Sequence, residues 1–235
     1  MKLGIMQPYF LPYVGYWQLI NHVDKYVIYD DVNFKKRGWI NRNRILLNKK
    51  INYINVPMLG ASQFKLINEI GVDNDVRLLN RNIRLIESAY KKAPQYNEVL
   101  PIIESIFRCG KENLAEYLID SIHIICSYLD IGTEIVISSK LEKDNNKKAQ
   151  EKILEICELL GATEYYNAIG GQELYDHNDF RNKGMKLKFL KSLNIAYRQF
   201  DCEFHGDLSI LDVMMFNSKE KIKKFLNEFT IVVAD

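Results

Sequence analysis

The first thirty-one residues combine a buried-length apolar run, a proline-bounded turn, a short helix and a second apolar run. Few folds accept that order. Leu3 to Met6 has the length of a buried strand. Gln7-Pro8 stops it. Pro8 and Pro12 lack a backbone donor, so Gln7 to Pro12 is neither helix interior nor central strand. Tyr13 to His22 follows, with Val14, Trp17 and Ile20 at helical spacing. Tyr26 to Tyr29 is strand-like again and runs into Asp30-Asp31. Strand, tight turn, helix, strand is the opening of a parallel βαβ unit. Ligands of such sheets sit beyond the carboxyl ends of the strands. Gln7, Tyr9, Asp30 and Asp31 fall at those ends, and Phe34-Lys35-Lys36-Arg37-Gly38-Trp39 follows directly. Any one of Tyr9, Phe10, Tyr13, Tyr16 and Trp17 is better explained as core. Lys35-Lys36-Arg37 alone is a solvated turn. Their convergence with two prolines and two carboxylates on one edge marks a candidate site.

The rest of the chain extends the pattern. Trp39 to Lys50 is polar and rich in Asn and Arg. Tyr53 to Met58 reads as a third strand, stopped by Pro57 and Gly60. Helices are predicted over about Val76 to Lys92, Tyr96 to Phe107 and Leu114 to Leu129, with Gly132 ending the last, as a helical insertion spanning about 76–129. Thr133 to Ile137 is a strand ending in Ser138-Ser139, followed by a charged, exposed stretch from Asp144 to Lys148. Ala149 to Leu160 is a helix with Gly161 at its C′ position. Glu164 to Ala168 is a strand followed by Gly170-Gly171. Both pairs stand where backbone donors can cradle an anion. Met185 to Leu190 and Ile195 to Phe200 alternate as short strands. Ser209 caps a helix to Phe216, with Asp212 at N3 facing the helix dipole, and Lys219 to Phe229 forms a last helix. The expected architecture is α/β: one domain over 1–235 with a mostly parallel, Rossmann-like sheet whose first strand is central.

Composition narrows the function. The chain has 235 residues, 47% of them hydrophobic, and a net charge of +2. That balance does not demand nucleic acid or an anionic membrane as partner. Cys109, Cys126, Cys157 and Cys202 lie far apart with no metal spacing; Cys126 and Cys157 sit inside helical apolar patterns as buried thiols, and Cys109 and Cys202 lack an obvious local basic partner to activate a thiol. No leader precedes the first strand and no apolar run reaches about 18 residues, so the expectation is a cytoplasmic protein with no membrane span. Gly-x-Ser-x-Gly, zinc and Walker patterns are absent.

With these residues assembled, the chain resembles the WbqC-like family nearly end to end. The marks are Gln7-Pro8-x-Phe10-Leu11-Pro12-x-x-Gly15-Tyr16, Tyr29-Asp30-Asp31-Val32-x-Phe34, Gly38-Trp39-x-Asn41-Arg42, Ser138-Ser139, Leu160-Gly161-Ala162-x-x-Tyr165, Gly170-Gly171, and Leu208-Ser209-Ile210-Leu211-Asp212 with Phe216-Asn217. The resemblance implies work on nucleotide-linked or lipid-linked sugars in surface-polysaccharide (O-antigen) biosynthesis. Members often carry Tyr-x-Gln where this chain has Phe204-His205-Gly206. The opening is also similar in outline to nucleotidylyltransferase and pantothenate-synthetase folds. Those place His-x-Gly-His on ATP phosphates, whereas Tyr13-Val14-Gly15-Tyr16 stands here.

Two functional classes follow. In the first, an acyl or aminoacyl group is transferred to the amine of a nucleotide-linked sugar, with an ATP-dependent amide ligase as a variant. Lys35, Arg37, Arg42 and the Gly15 amide are candidates for the diphosphate. Gln7, Tyr9, Tyr16, Trp39, Asn41, Ser138, Ser139, Gly170 and Gly171 complete the binding set, with Tyr9 and Trp39 stacking on a base or sugar. Asp30 or Asp31 is a candidate base, since adjacent carboxylates in a cleft can hold one raised pKa. The same pair can instead bind an ammonium or Mg²⁺. Among four histidines, His22, His123, His177 and His205, the last is the best placed base. In the second class the protein binds a sugar nucleotide without catalysis. No cofactor is identified; ATP and Mg²⁺ are the candidates.

Overall fold

The computed structural model describes residues 1–200 and 203–233. Cys202 lies outside them. Among the described residues ten strands form, in order: β1 (Lys2–Met6), β2 (Lys25–Ile28), β3 (Arg42–Leu47), β4 (Lys50–Asn55), β5 (Met58–Leu59), β6 (Gly71–Val72), β7 (Glu134–Ile137), β8 (Glu164–Ala168), β9 (Lys186–Ser192) and β10 (Phe229–Val233). The helices are α1 (Val14–His22), α2 (Val76–Tyr90), α3 (Tyr96–Phe107), α4 (Leu114–Leu129), α5 (Ala149–Leu159), α6 (His177–Asn182), α7 (Ile210–Phe216) and α8 (Lys219–Phe225).

Six strands make one sheet in the order β10-β9-β8-β1-β2-β7. β1 is interior and pairs in parallel with β2 and β8. β7 and β9 continue the parallel set, and β10 closes the far edge antiparallel to β9. The sheet is therefore Rossmann-like and mostly parallel. Strand alternation divides its side chains between two layers. Leu3, Ile5 and Val27 pack with Ile153, Ile156, Cys157 and Phe180 from α5 and α6. Tyr26 and Ile28 point the other way, into a larger core with Trp17, Leu19 and Ile20 of α1 and apolar residues of α2, α3 and α4. With both faces covered, all carboxyl ends of β1, β2, β7 and β8 meet on one rim.

The structure differs from the sequence-based expectation in five places. Trp39 to Lys50 contains a strand, β3, which pairs with β4 outside the main sheet. Their two-residue connection, Asn48-Lys49, has φ of 51° and 60°, the left-handed pair of a type I′ hairpin turn. Tyr53 to Met58 is accordingly split between β4 and β5 rather than forming a third sheet strand. Ile195 to Phe200 is an extended strap without a ladder; its alternation places Ile195, Tyr197 and Gln199 inward against neighbouring side chains. Phe229 begins β10 instead of ending a helix. At the end of α4, Asp130 takes the left-handed cap conformation, φ 54°, in place of Gly132.

Candidate functional site

The rim formed by the carboxyl ends of β1, β2 and β8 opens as a cleft of about 440 Å³. Gln7, Tyr9, Tyr29, Lys35, Gln150, Asn167 and Tyr175 contribute its aromatic and polar walls. Each is there for a local reason. Gln7 and Tyr9 follow the stop of β1, and Tyr29 is the first residue past β2. Asn167 is nearly at the end of β8, and its amide nitrogen donates to Tyr165 Oη at 2.7 Å and to Tyr175 Oη at 2.9 Å. A Cβ on Gly171 would stand 2.9 Å from Asn167 Oδ1, so a glycine there lets the turn after β8 close over this amide. Burial raises the pKa of Tyr9, Tyr29 and Tyr175, and for Tyr29 Asp31 and Tyr175 add to it. All three phenols are hydrogen-bond donors at neutral pH.

A second chamber of about 350 Å³ shares Tyr9 with this cleft. Trp39, Asn43, Arg44, Gly170 and Asp207 line it together with Tyr13. A third cavity, about 480 Å³ and largely apolar, shares Tyr13 and Asp207 with the chamber and includes Leu193, Tyr197 and Phe204.

Of the residues singled out from sequence, Gln7, Tyr9 and Lys35 line the cleft, and Tyr9, Trp39 and Gly170 line the chamber. The others are placed differently. Asp30 is 2% exposed and accepts from Ser139 N at 2.9 Å and Ser139 Oγ at 2.6 Å. The turn donors proposed for a ligand anion thus hold the protein's own carboxylate. Ser138 is fully buried, and its carbonyl accepts from Lys143 Nζ. Asp31 Oδ2 accepts from Lys143 Nζ and Lys152 Nζ, both at 2.9 Å, and all three side chains are nearly inaccessible. Burial pushes the Asp31 carboxyl up, but Ser138, Lys143 and Lys152 around it outweigh that and hold it below its ordinary value. Asp31 is therefore ionised, the opposite of the raised pKa that a base would need, and two ammoniums beside it repel a metal cation.

Arg42 is also engaged internally. Its guanidinium donates to the carbonyls of Arg37, at 2.6 Å, and Gly38, at 3.2 Å, and lies over the Tyr53 ring. Arg37 is exposed and left-handed, with φ 58°. Asn41 ties its backbone and amide to Val56 across the hairpin. Tyr16 is buried and donates to the Gln7 carbonyl at 3.1 Å. A Cβ on Gly15 would meet the Tyr13 ring at 2.5 Å, so this glycine serves close ring packing rather than phosphate approach. His205 holds its backbone against Gln199, and its ring lines none of the three cavities. Reading the sequence alone missed Arg44, Asn167, Tyr175 and Asp207. Strand-end position was a usable signal for Asn167; Asp207 carried none, because its partners are distant in sequence.

Comparison with known proteins places the whole chain rather than the site. The family model for the WbqC-like protein family matches residues 7–224. The chain belongs to that family. The match includes both arms of the rim, from Gln7 to Asp207. A protein of Mycobacterium tuberculosis (strain ATCC 25618 / H37Rv), described as uncharacterized protein Rv1507c, is 29% identical over 219 residues, covering 92% of this chain and 93% of the relative. No solved structure matches the chain. Among the described residues, no helix of this WbqC-like chain is long and apolar enough to cross a membrane.

Proposed function

We propose that this protein binds a nucleotide-linked amino sugar on the rim of its parallel sheet and carries an acyl or aminoacyl group onto the sugar amine, in the assembly of a surface polysaccharide. The observation that carries the reading is the aromatic cleft at the carboxyl ends of β1, β2 and β8. Its volume is within the range of about 300–1,000 Å³ of small-molecule sites. Tyr9, Tyr29 and Tyr175 present rings to a base. Gln7 presents its amide to the edge of that base, while the Gln150 and Asn167 amides are held by Asp176, Asp179, Tyr165 and Tyr175 and shape the wall. Lys35 supplies a cation for the diphosphate. In the transfer, the free amine attacks the donor's carbonyl carbon. A C–N bond forms, the bond to the donor's leaving group breaks, and the surplus amine proton leaves to a base or water.

One observation favours a second reading. Asp30 and Asp31 are both committed to internal partners, and the His205 ring is off the cavities. That arrangement suits a sugar-nucleotide-binding accessory protein without a placed base.

Two measurements separate these readings. Calorimetric titration with UDP should show Lys35→Ala binding about tenfold or more weakly, the loss of one charge-assisted bond. Arg42→Ala, once shown to fold, should bind UDP nearly as well as the unaltered protein, because its guanidinium is engaged with the Arg37 and Gly38 carbonyls. Equal losses in the two variants would sink the cleft assignment. Mass spectrometry of a UDP-amino sugar incubated with the protein and an acyl thioester then tests transfer; binding without a mass gain supports the accessory role.

A further inference from the structure

The chamber beside the cleft holds one cation and one anion that are not paired with each other. Arg44 and Asp207 are 163 residues apart in sequence. Arg44 Nη2 donates to the main-chain carbonyl of Asp207 at 2.6 Å, leaving the Asp207 carboxylate outside that bond. The guanidinium lies over the Trp39 ring, 5.1 Å from its centroid, which fixes its plane. Arg44 Nε is buried with no hydrogen-bond partner. Nε is closed to solvent, but Arg44 as a whole is only half-buried and lines the chamber, where its charge favours an anion. Asp207 itself is held in the left-handed region, φ 54°, by the segment that Arg44 clamps. Its charge is felt at Tyr13, whose pKa is raised by burial and then by Asp207. Tyr9 and Tyr13 complete an aromatic surround of the kind that favours an ammonium next to a carboxylate.

We infer that this chamber is a subsite for a zwitterionic ligand, its ammonium at Asp207 and its anionic oxygens at Arg44. The inference deepens the function proposed above and rests on it for the placing of the ligand's nucleotide in the neighbouring cleft. Two sources share the chemistry. One is an amino sugar carrying phosphate, the acceptor; the other is a free α-amino acid, the source of an aminoacyl group. The chamber volume of about 350 Å³ admits either.

The test uses the full chain and four probes: glucosamine 1-phosphate, glucose 1-phosphate, glycine and UDP. Ligand-observed NMR at millimolar concentration compares the unaltered protein with Asp207→Asn and Arg44→Lys, after circular dichroism confirms that each variant folds. The expected result is binding of glucosamine 1-phosphate at least tenfold tighter than glucose 1-phosphate, with that preference lost in Asp207→Asn. Arg44→Lys should weaken the zwitterion because a point charge replaces the fork, while UDP binding stays unchanged in both variants. The same pattern with glycine instead supports the subsite and identifies the amino acid as its occupant. Binding of neither zwitterion, or a preference for the ammonium that survives Asp207→Asn, overturns the inference. If UDP fails to bind while the zwitterion pattern holds, the nucleotide reading falls and the subsite stands.

Discussion

Asp31→Ala should destabilise the protein by about 3–5 kcal/mol, the cost of removing one partner from a buried ionic cluster. Two lysines depend on this carboxylate: Lys143 and Lys152 each place Nζ 2.9 Å from Asp31 Oδ2, and their side chains are 1% and 7% exposed. Without Asp31, two buried ammoniums face each other. Lys152 keeps the Asp31 carbonyl and the face of Tyr29, and Lys143 keeps the Ser138 carbonyl, but no anion replaces the one lost. Urea unfolding monitored by circular dichroism measures the loss. A triple variant, Asp31→Leu with Lys143→Met and Lys152→Met, should recover most of it, since an apolar cluster of similar volume needs no counter-ion. A loss below about 1 kcal/mol in Asp31→Ala would show that the lysines reach water and that the cluster is not a buried one. The pH dependence has a definite sign. A carboxyl whose folded pKa is depressed adds stability above its unfolded value and loses it as pH falls through the folded one. The gap between the protein and Asp31→Asn should therefore be full at neutral pH and shrink as pH drops through and below the ordinary aspartate range. A loss of activity in Asp31 variants is for this reason no evidence of a base until stability has been measured.

Asp212→Ala should cost about 3 kcal/mol through a different mechanism. The carboxylate is fully buried and carries three donors: Tyr197 Oη at 2.6 Å, Gln199 Nε2 at 2.7 Å and Tyr90 Oη at 2.8 Å. Truncation removes the acceptor of both phenols and of one Gln199 N–H, whose amide keeps the His205 carbonyl, and each unsatisfied buried group costs about 1–3 kcal/mol, partly relieved by rearrangement. The residue joins α7 to α2 and to the strap at 195–200, so the loss is global rather than local. Gln199 in turn accepts from His205 N at 2.8 Å and donates to its carbonyl at 3.0 Å, which hangs the 205–207 segment on the same anchor. Asp212→Asn keeps one acceptor and should lose markedly less. Burial raises the Asp212 pKa, against the hydrogen bonds that lower it. A raised carboxyl adds stability that is complete below the unfolded pKa and fades as pH rises through the folded one. The Asn variant should thus compare most favourably at neutral pH and least favourably in acid. Denaturant midpoints at several pH values decide the matter; a pH-independent difference would mean that Asp212 ionises as freely in the folded chain as in the unfolded one.

These two carboxylates show where a linear reading stops. Asp212 was legible as a helix N3 residue, and it occupies that position after the Ser209 cap. Its helix position says nothing about Tyr90, 122 residues away, whose hydroxyl fills one of its oxygens. Asp30 and Asp31 were legible as strand-end carboxylates, and they are. Whether such a pair faces solvent, ligand or lysine depends on residues at 139, 143 and 152.

Local chemistry is what the sequence determined by itself. The prolines at 8 and 12, the apolar run before them and the helical spacing after them compel β1, α1 and β2, because each rests on backbone donors and side-chain periods within a few residues. The boundaries of α3 and α4 follow from the same kind of signal, and the strand-turn-helix-strand opening implies that β1 and β2 run parallel. Only the tertiary structure decided which charges are spent inside. Ser139 donors go to Asp30, Lys143 and Lys152 to Asp31, and Arg42 to its own loop, whereas Arg44, two residues on, stacks on Trp39 at a chamber with Asp207. It also decided that the alternating strap at 195–200 finds no strand to pair with, while residues 229–233 find β9. A buried charge and a β-ladder both need a partner from elsewhere in the chain, and the energy of each depends on distance in space, which neighbouring residues do not encode.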